Sequence, residues 1–102
     1  EESKSGIFLE GLNDLIAEVS EMENIKIKGL MTIPPICDSE AEVSKYFESM
    51  YQTFIDIKNK KIDNVDMDIL SMGMSHDYEA AIKNGSNIVR VGSAIFGARK
   101  YF

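Results

Sequence analysis

The stretch that decides the fold runs from Ile69 to Gly97, "ILSMGMSHDYEAAIKNGSNIVRVGSAIFG". Two apolar runs each end in small residues, Ser71-Met72-Gly73-Met74-Ser75 and Val91-Gly92-Ser93-Ala94, and a short helical pattern lies between them. Glycine and hydroxyl side chains at the ends of two neighbouring strands allow an anionic group to approach the backbone closely. Strand, helix, strand in this order predicts a right-handed βαβ unit with parallel strands.

Upstream the same alternation continues. Phe8, Leu12, Leu15, Ile16 and Val19 fall on one stripe of a helix between Ile7 and Met22. "NIKIKGLMTIPP", from Asn24 to Pro35, begins by alternating, turns apolar at Leu30-Met31 and stops at two prolines, which reads as a strand ending in a loop. Ser39-Glu40-Ala41-Glu42 has capping-box spacing, with Ser39 bonding forward and Glu42 reaching back. Val43, Phe47, Met50, Phe54 and Ile57 then predict an amphipathic helix to about Lys60, whose last lysines suit the dipole. "MDILSMG" is the second strand, a helix follows from Asp77 to Asn84 with Gly85 at its end, "NIVRVGSAIFG" holds the third strand, and a further helix is expected from Ala94 to Tyr101. The order α-β-α-β-α-β-(α) implies a parallel sheet.

Bulk properties narrow the partners. The chain has 102 residues, 44% of them hydrophobic, and a formal net charge of -6. That is one domain's worth of material. An acidic balance argues against nucleic acid and against an anionic membrane surface. No apolar run approaches the roughly 20 residues that span a bilayer. Cys37 is the single cysteine and cannot form an internal disulfide, so a reducing, cytoplasmic compartment is expected. A start in Glu-Glu-Ser-Lys, without Met, is expected of a piece of something longer. Three parallel strands point the same way, since parallel sheets are covered on both faces and a full eight-stranded barrel takes roughly 250 residues.

Each chemical motif has a plain alternative. Ser75 stands where it can cap the helix after it, and a helix start binds anions, but capping alone is a sufficient role. Arg90 lies inside an apolar strand, where alternation puts Ile88, Arg90 and Gly92 on one face and Val89, Val91 and Ser93 on the other. A guanidinium turned inward requires an acceptor, either a core carboxylate or a ligand's ring nitrogen or phosphate. Gly92 and Ser93 offer free N–H groups and a hydroxyl at a second turn, one βα unit after the first. Ser75-His76-Asp77 spells a triad in adjacent letters, which cannot converge as one. Asp63, Asp66 and Asp68 lack the glycine and distal Glu of a calcium loop and read as a polar connection before a strand. Cys37 has no neighbouring His or Cys, which disfavours a metal site or a nucleophile.

With these residues in view, "GLMTIPP", "LSMGMSHDYEAAIKNGSNIVRVGSAIFGAR" and the opening "EESKSG" resemble the pyridoxal phosphate homeostasis protein family. The resemblance runs almost the length of the chain and is densest from Leu70 to Arg99. It implies a (β/α)8 barrel like the N-terminal domain of alanine racemase, with pyridoxal 5′-phosphate (PLP) at its mouth. It also implies that residues 1–102 are a single segment, the C-terminal part of that barrel, covering about strands six to eight. Ser75, Gly92 and Ser93 then look like phosphate-binding positions, and Arg90 like the residue facing the pyridine nitrogen. Met72, Gly73 and Met74 would line the same mouth, and Lys4 and Gly6 fall in a loop motif near the barrel top. The family's Schiff-base lysine lies upstream, and neither Lys26 nor Lys28 matches its motif.

Three functions follow from this reading. The first is a non-catalytic PLP carrier or homeostasis module that contains the phosphate clamp. The second is part of a PLP-dependent racemase-like enzyme, which needs a Schiff-base lysine and a second acid/base. The third is a structural segment that binds nothing and associates with itself or with the rest of a barrel through its sheet edges.

Overall fold

The computed structural model describes residues 6–97 and is an α/β unit built on a three-stranded parallel sheet, in the order in which the strands occur. Helix α1 (Leu9–Ser20) precedes β1 (Ile27–Thr32); α2 (Glu40–Lys60) leads to β2 (Val65–Met74); α3 (Tyr78–Lys83) leads to β3 (Ile88–Arg90); and α4 (Ser93–Phe96) follows. Both pairings, β1 with β2 and β2 with β3, are parallel. The expected order of elements is present, with β2 longer and β3 shorter than the apolar runs imply. The part of the last helix expected at Ala98 to Tyr101, and Lys4, lie outside the described residues.

Helices α1, α2 and α3 pack against the sheet because their apolar stripes match it. Ile16 of α1, Val43, Phe47, Phe54 and Ile57 of α2, and Ala80 and Ala81 of α3 form one core with Val65, Met67, Leu70 and Met72 of β2. Phe47, Ile57, Leu70 and Met72 are fully enclosed. Full burial of a side chain of this kind contributes roughly 1.5–3 kcal/mol, so α2 and β2 hold the unit together. The buried positions of β2 change phase between Met67 and Leu70. Ile27 stands opposite Val65 and Gly29 opposite Ile69, so two steps of β1 meet four of β2 there, an irregularity that re-aims the strand's side chains.

Helix ends follow the sequence in part. Ser39 caps α2, its Oγ accepting the Glu42 N–H at 3.2 Å. Glu42 does not close the box on Ser39; its carboxylate accepts the Asp38 N–H at 3.2 Å, one residue earlier. Helix α3 ends in a reciprocal pair of bonds, Gly85 N–H to Ile82 C=O at 3.2 Å and Ser86 N–H to Ala81 C=O at 3.0 Å, with Gly85 at φ +100°. That motif turns the chain straight into β3.

Asp66, read as part of a polar connection, lies within β2, as does Asp68, which stands both in that connection and in the strand "MDILSMG" of the sequence reading. Lys26 Nζ meets Asp66 at 2.8 Å, and Lys28 Nζ meets Asp68 at 2.8 Å and Asp66 at 3.6 Å. Parallel pairing of Lys-x-Lys with Asp-x-Asp makes this ladder, which only adjacency of the two strands creates.

Candidate functional site

The C-terminal ends of the strands bring the predicted residues to one side of the unit. Ser75 follows β2 directly, and Gly92 and Ser93 follow β3. The Ser75 Oγ accepts the Gly92 N–H at 3.0 Å and the Ala94 N–H at 3.1 Å. Its role is therefore not the expected cap of α3. A turn intervenes, in which Asp77 N–H donates to Met74 C=O at 3.1 Å and Asp77 Oδ1 accepts the Met74 N–H at 2.7 Å, so α3 starts only at Tyr78. Ser75 instead serves the first N–H groups of α4, across the gap between the two loops. With two bonds accepted, its own O–H proton remains available to an acceptor outside this pair.

Arg90 reaches across the sheet. Its Nη2 donates to the Thr32 C=O at the end of β1, 3.1 Å away, so the acceptor is a backbone carbonyl and not a core carboxylate. The Nε is buried and has no hydrogen-bond partner among the described residues. An unmet donor on a charged group is costly to bury, and a polar ligand group would relieve that cost. Arg90 thus spans all three strands at their C-terminal ends.

The two glycines differ in what they answer to. Gly73 has φ +108°, and a Cβ there would stand 2.8 Å from Ala81 Cβ and 3.2 Å from Val89 Cγ1. Its reason is internal: α3 and β3 close on the backbone where β2 carries an extra residue. A Cβ at Gly92 would meet nothing within 4 Å. With φ −114°, Gly92 has a backbone any residue adopts. Nothing in the described part of the chain requires glycine at that position.

The remaining candidates separate. Met72 is not at the mouth where the sequence reading puts it. It is wholly enclosed in the core, because it shares a face with Leu70 beneath the helices. Met74 is partly exposed at the end of the strand. Ser93 opens α4, its C=O accepting the Gly97 N–H at 2.9 Å. A cleft of about 430 Å³ lies between the loops after β1 and β2, lined by Cys37, Ser39, Val43, Ser75, His76 and Tyr78 among others. A larger cleft, about 790 Å³, opens between α2 and α3 and touches none of the predicted site residues.

His76 and Asp77 approach each other at 3.5 Å, but Ser75 is turned away to the other loop, so the three adjacent letters make no relay. Cys37 Sγ donates to Pro35 C=O at 3.3 Å. Partial burial foremost, with the carboxylates of Glu42, Asp38 and Asp77, pushes its thiol upward, away from the thiolate a nucleophile needs. Sequence reasoning passed over two residues that shape this end of the sheet, Ser86 and Asn87, whose side chains bond to the β2 backbone. Their signal was weak, a serine and an asparagine after a helix-ending glycine.

A parallel α/β unit with such strand ends is a recognisable class. The profile of the alanine racemase N-terminal domain matches residues 2–100, and the chain belongs to that family. Within it, the pyridoxal phosphate homeostasis protein of Aquifex aeolicus is 43% identical over 101 residues, and that of Escherichia coli K12 is 46% identical over 101 residues. Each comparison takes in 99% of this chain but only 43% and 42% of those proteins, so the chain spans less than half the length of the curated relatives it matches. PipY of Synechococcus elongatus, solved without PLP, superposes with a TM-score of 0.83 at 29% identity, over 92% of this chain and 43% of that one. PipY solved with PLP bound gives 0.82 at 28% identity, over 92% and 44%.

Proposed function

We propose that this chain is the phosphate-clamping part of a non-catalytic PLP-binding homeostasis protein, and corresponds to about the last three βα units of a (β/α)8 barrel. The observation that carries the reading is the convergence at the strand ends. Ser75 Oγ, the Gly92 and Ala94 N–H groups and Arg90 come from two loops and one strand, and among the described residues the buried guanidinium Nε is unmatched and Gly92 is unconstrained. The phosphate of PLP has an acceptor for the Ser75 O–H, whose oxygen is already taken by the two N–H groups, and its pyridine nitrogen is an acceptor for Arg90 Nε. PipY, similar over this region, has been solved with PLP bound, which supports that ligand over other phosphates.

In this reading Ser75, Gly92 and Ser93 hold the phosphate, and Arg90 faces the pyridine ring. PLP supplies an aldehyde and an electron-withdrawing ring; this chain's residues bind and orient it. A guanidinium facing the ring nitrogen keeps that nitrogen unprotonated, which weakens the ring as an electron sink and suits storage over catalysis. Three of the described lysines do not favour the racemase alternative. Lys26 and Lys28 pair with Asp66 and Asp68 near the start of β1, and Lys83 pairs with Glu40 between helices. The outer edges of the sheet, on β1 and β3, would pair with the rest of such a barrel or with a second copy.

Equilibrium dialysis of the 102-residue chain against PLP, with pyridoxal as the control without phosphate, tests the reading. Retention of PLP above pyridoxal supports the clamp. Equal failure of both leaves a structural segment that needs further strands before it binds anything.

A further inference from the structure

The junction from Gly85 to Asn87 lies outside the site, yet it determines how high β3 stands against β2. The register of these strands rests on Ser71 opposite Ile88 and Met74 opposite Arg90, with an extra β2 residue in between. A ladder this short and irregular specifies register weakly. A slip of one residue would move the strand by about 3.3 Å, far beyond the tolerance of a hydrogen bond.

Side chains supply what the ladder lacks. Asn87 N–H donates to the Leu70 C=O at 3.1 Å. Its Oδ1 accepts the Leu70 N–H at 2.8 Å, and its Nδ2 donates to the Asp68 C=O at 2.7 Å. One residue therefore takes three backbone groups of β2, and the donor and acceptor ends of its amide are not interchangeable. Ser86 Oγ lies 2.7 Å from Met72 C=O and 2.9 Å from Ile88 C=O, placing its hydroxyl between the carbonyls of the two strands.

Gly92 follows Asn87 by five residues, and its N–H must arrive within 3.0 Å of Ser75 Oγ. The geometry points to Ser86 and Asn87 as positioning residues that set the height of β3, so that the Gly92 and Ala94 N–H groups meet Ser75. The consequence for PLP rests on the cofactor reading above; the positioning itself does not.

Amide hydrogen exchange on the 102-residue chain tests the positioning without ligand, using Asn87→Ala, Ser86→Ala and Ser86→Thr. In the two alanine variants the Gly92 and Ala94 amides should exchange roughly tenfold faster or more, for about one lost hydrogen bond. Amides inside α2, such as Phe54, should keep their rates, and Ser86→Thr should match the unsubstituted chain. Unchanged exchange at Gly92 and Ala94 overturns the assignment. So does a loss shared equally by α2 in both alanine variants, since the pair would then support the fold at large. Dialysis against PLP and pyridoxal forms the second arm. If the unsubstituted chain retains neither, the cofactor reading fails while the exchange result stands. If it retains PLP and Asn87→Ala retains it equally well, the positioning of the phosphate clamp is refuted.

Discussion

Ser75 Oγ accepts the backbone N–H of Gly92 at 3.0 Å, a bond from the loop after β2 to the loop after β3. Beyond the Met74–Arg90 pair, the two strand ends are joined through one hydroxyl. Ser75→Ala removes the acceptor for two N–H groups, each worth on the order of 1 kcal/mol. PLP retention should fall by roughly tenfold, while pyridoxal retention, lacking the phosphate, should stay the same. Ser75→Thr keeps the hydroxyl and should restore most of the difference. Absorbance titration of the three chains with both ligands decides it, and equal losses for PLP and pyridoxal would remove Ser75 from the phosphate.

Gly92 and Gly73 should respond in opposite ways. At Gly92 an added Cβ meets nothing within 4 Å among the described residues and φ is −114°, so Gly92→Val should leave the melting temperature nearly unchanged and weaken PLP retention. At Gly73 an added Cβ meets Ala81 Cβ at 2.8 Å with φ +108°, so Gly73→Ala should cost about 1–3 kcal/mol of stability. Thermal melts beside PLP titrations read both. A Gly92→Val chain that loses stability as Gly73→Ala does would show that Gly92 serves packing.

Arg90 donates to Thr32 C=O from one end of its guanidinium and leaves Nε buried and unmatched among the described residues. Arg90→Ala should therefore shift the absorption of bound PLP, by changing what faces the ring, and retain most phosphate affinity. Loss of PLP altogether would move Arg90 from the ring to the phosphate. Arg90→Lys should not substitute, because an ammonium lacks the planar fork that spans the three strands.

The ladder between β1 and β2 sets two pH limits. The hydrogen bond from Lys26, with its charge and that of Lys28, holds the Asp66 carboxyl below its ordinary 3.8. The hydrogen bond to Asp68, with the charges of Asp68 and Asp66, holds Lys28 above its ordinary 10.5. A depressed carboxyl stabilises the fold above its unfolded value and loses that contribution as pH falls through the folded one; a raised lysine does so below its unfolded value and loses it as pH climbs. The ladder is thus fully present between about pH 4 and 10. Melts from pH 2.5 to 7 should show Asp66→Asn losing less stability on acidification than the unsubstituted chain, and less difference between the two in 1 M salt. Parallel acid profiles would mean the ladder contributes nothing to folding.

The order of elements was legible because it rests on local signals: the stripe of Val43, Phe47, Phe54 and Ile57, the Ser39 cap, and Gly85 at the end of α3. The positions that resemblance supplied, Ser75, Gly92 and Ser93, do come together at adjoining strand ends. What each side chain touches there was not legible. Ser75 reads as a cap for the helix that follows it, and caps instead the one after that, whose Gly92 and Ala94 N–H groups lie seventeen and nineteen residues further along the chain. Asp66 reads as part of a polar connection, and only β1 alongside supplies the lysines that make a ladder of Asp66 and Asp68. The resemblance assigned Met72 to the mouth, and the phase change in β2 turned it into the core. Sequence by itself determined helices, strands and their parallel succession, since periodicity and caps act within a few residues. Register, the reach of Arg90 to Thr32 and the bond of Ser75 to Gly92 were decided only by tertiary structure, because each joins groups that are neighbours in space and distant along the chain.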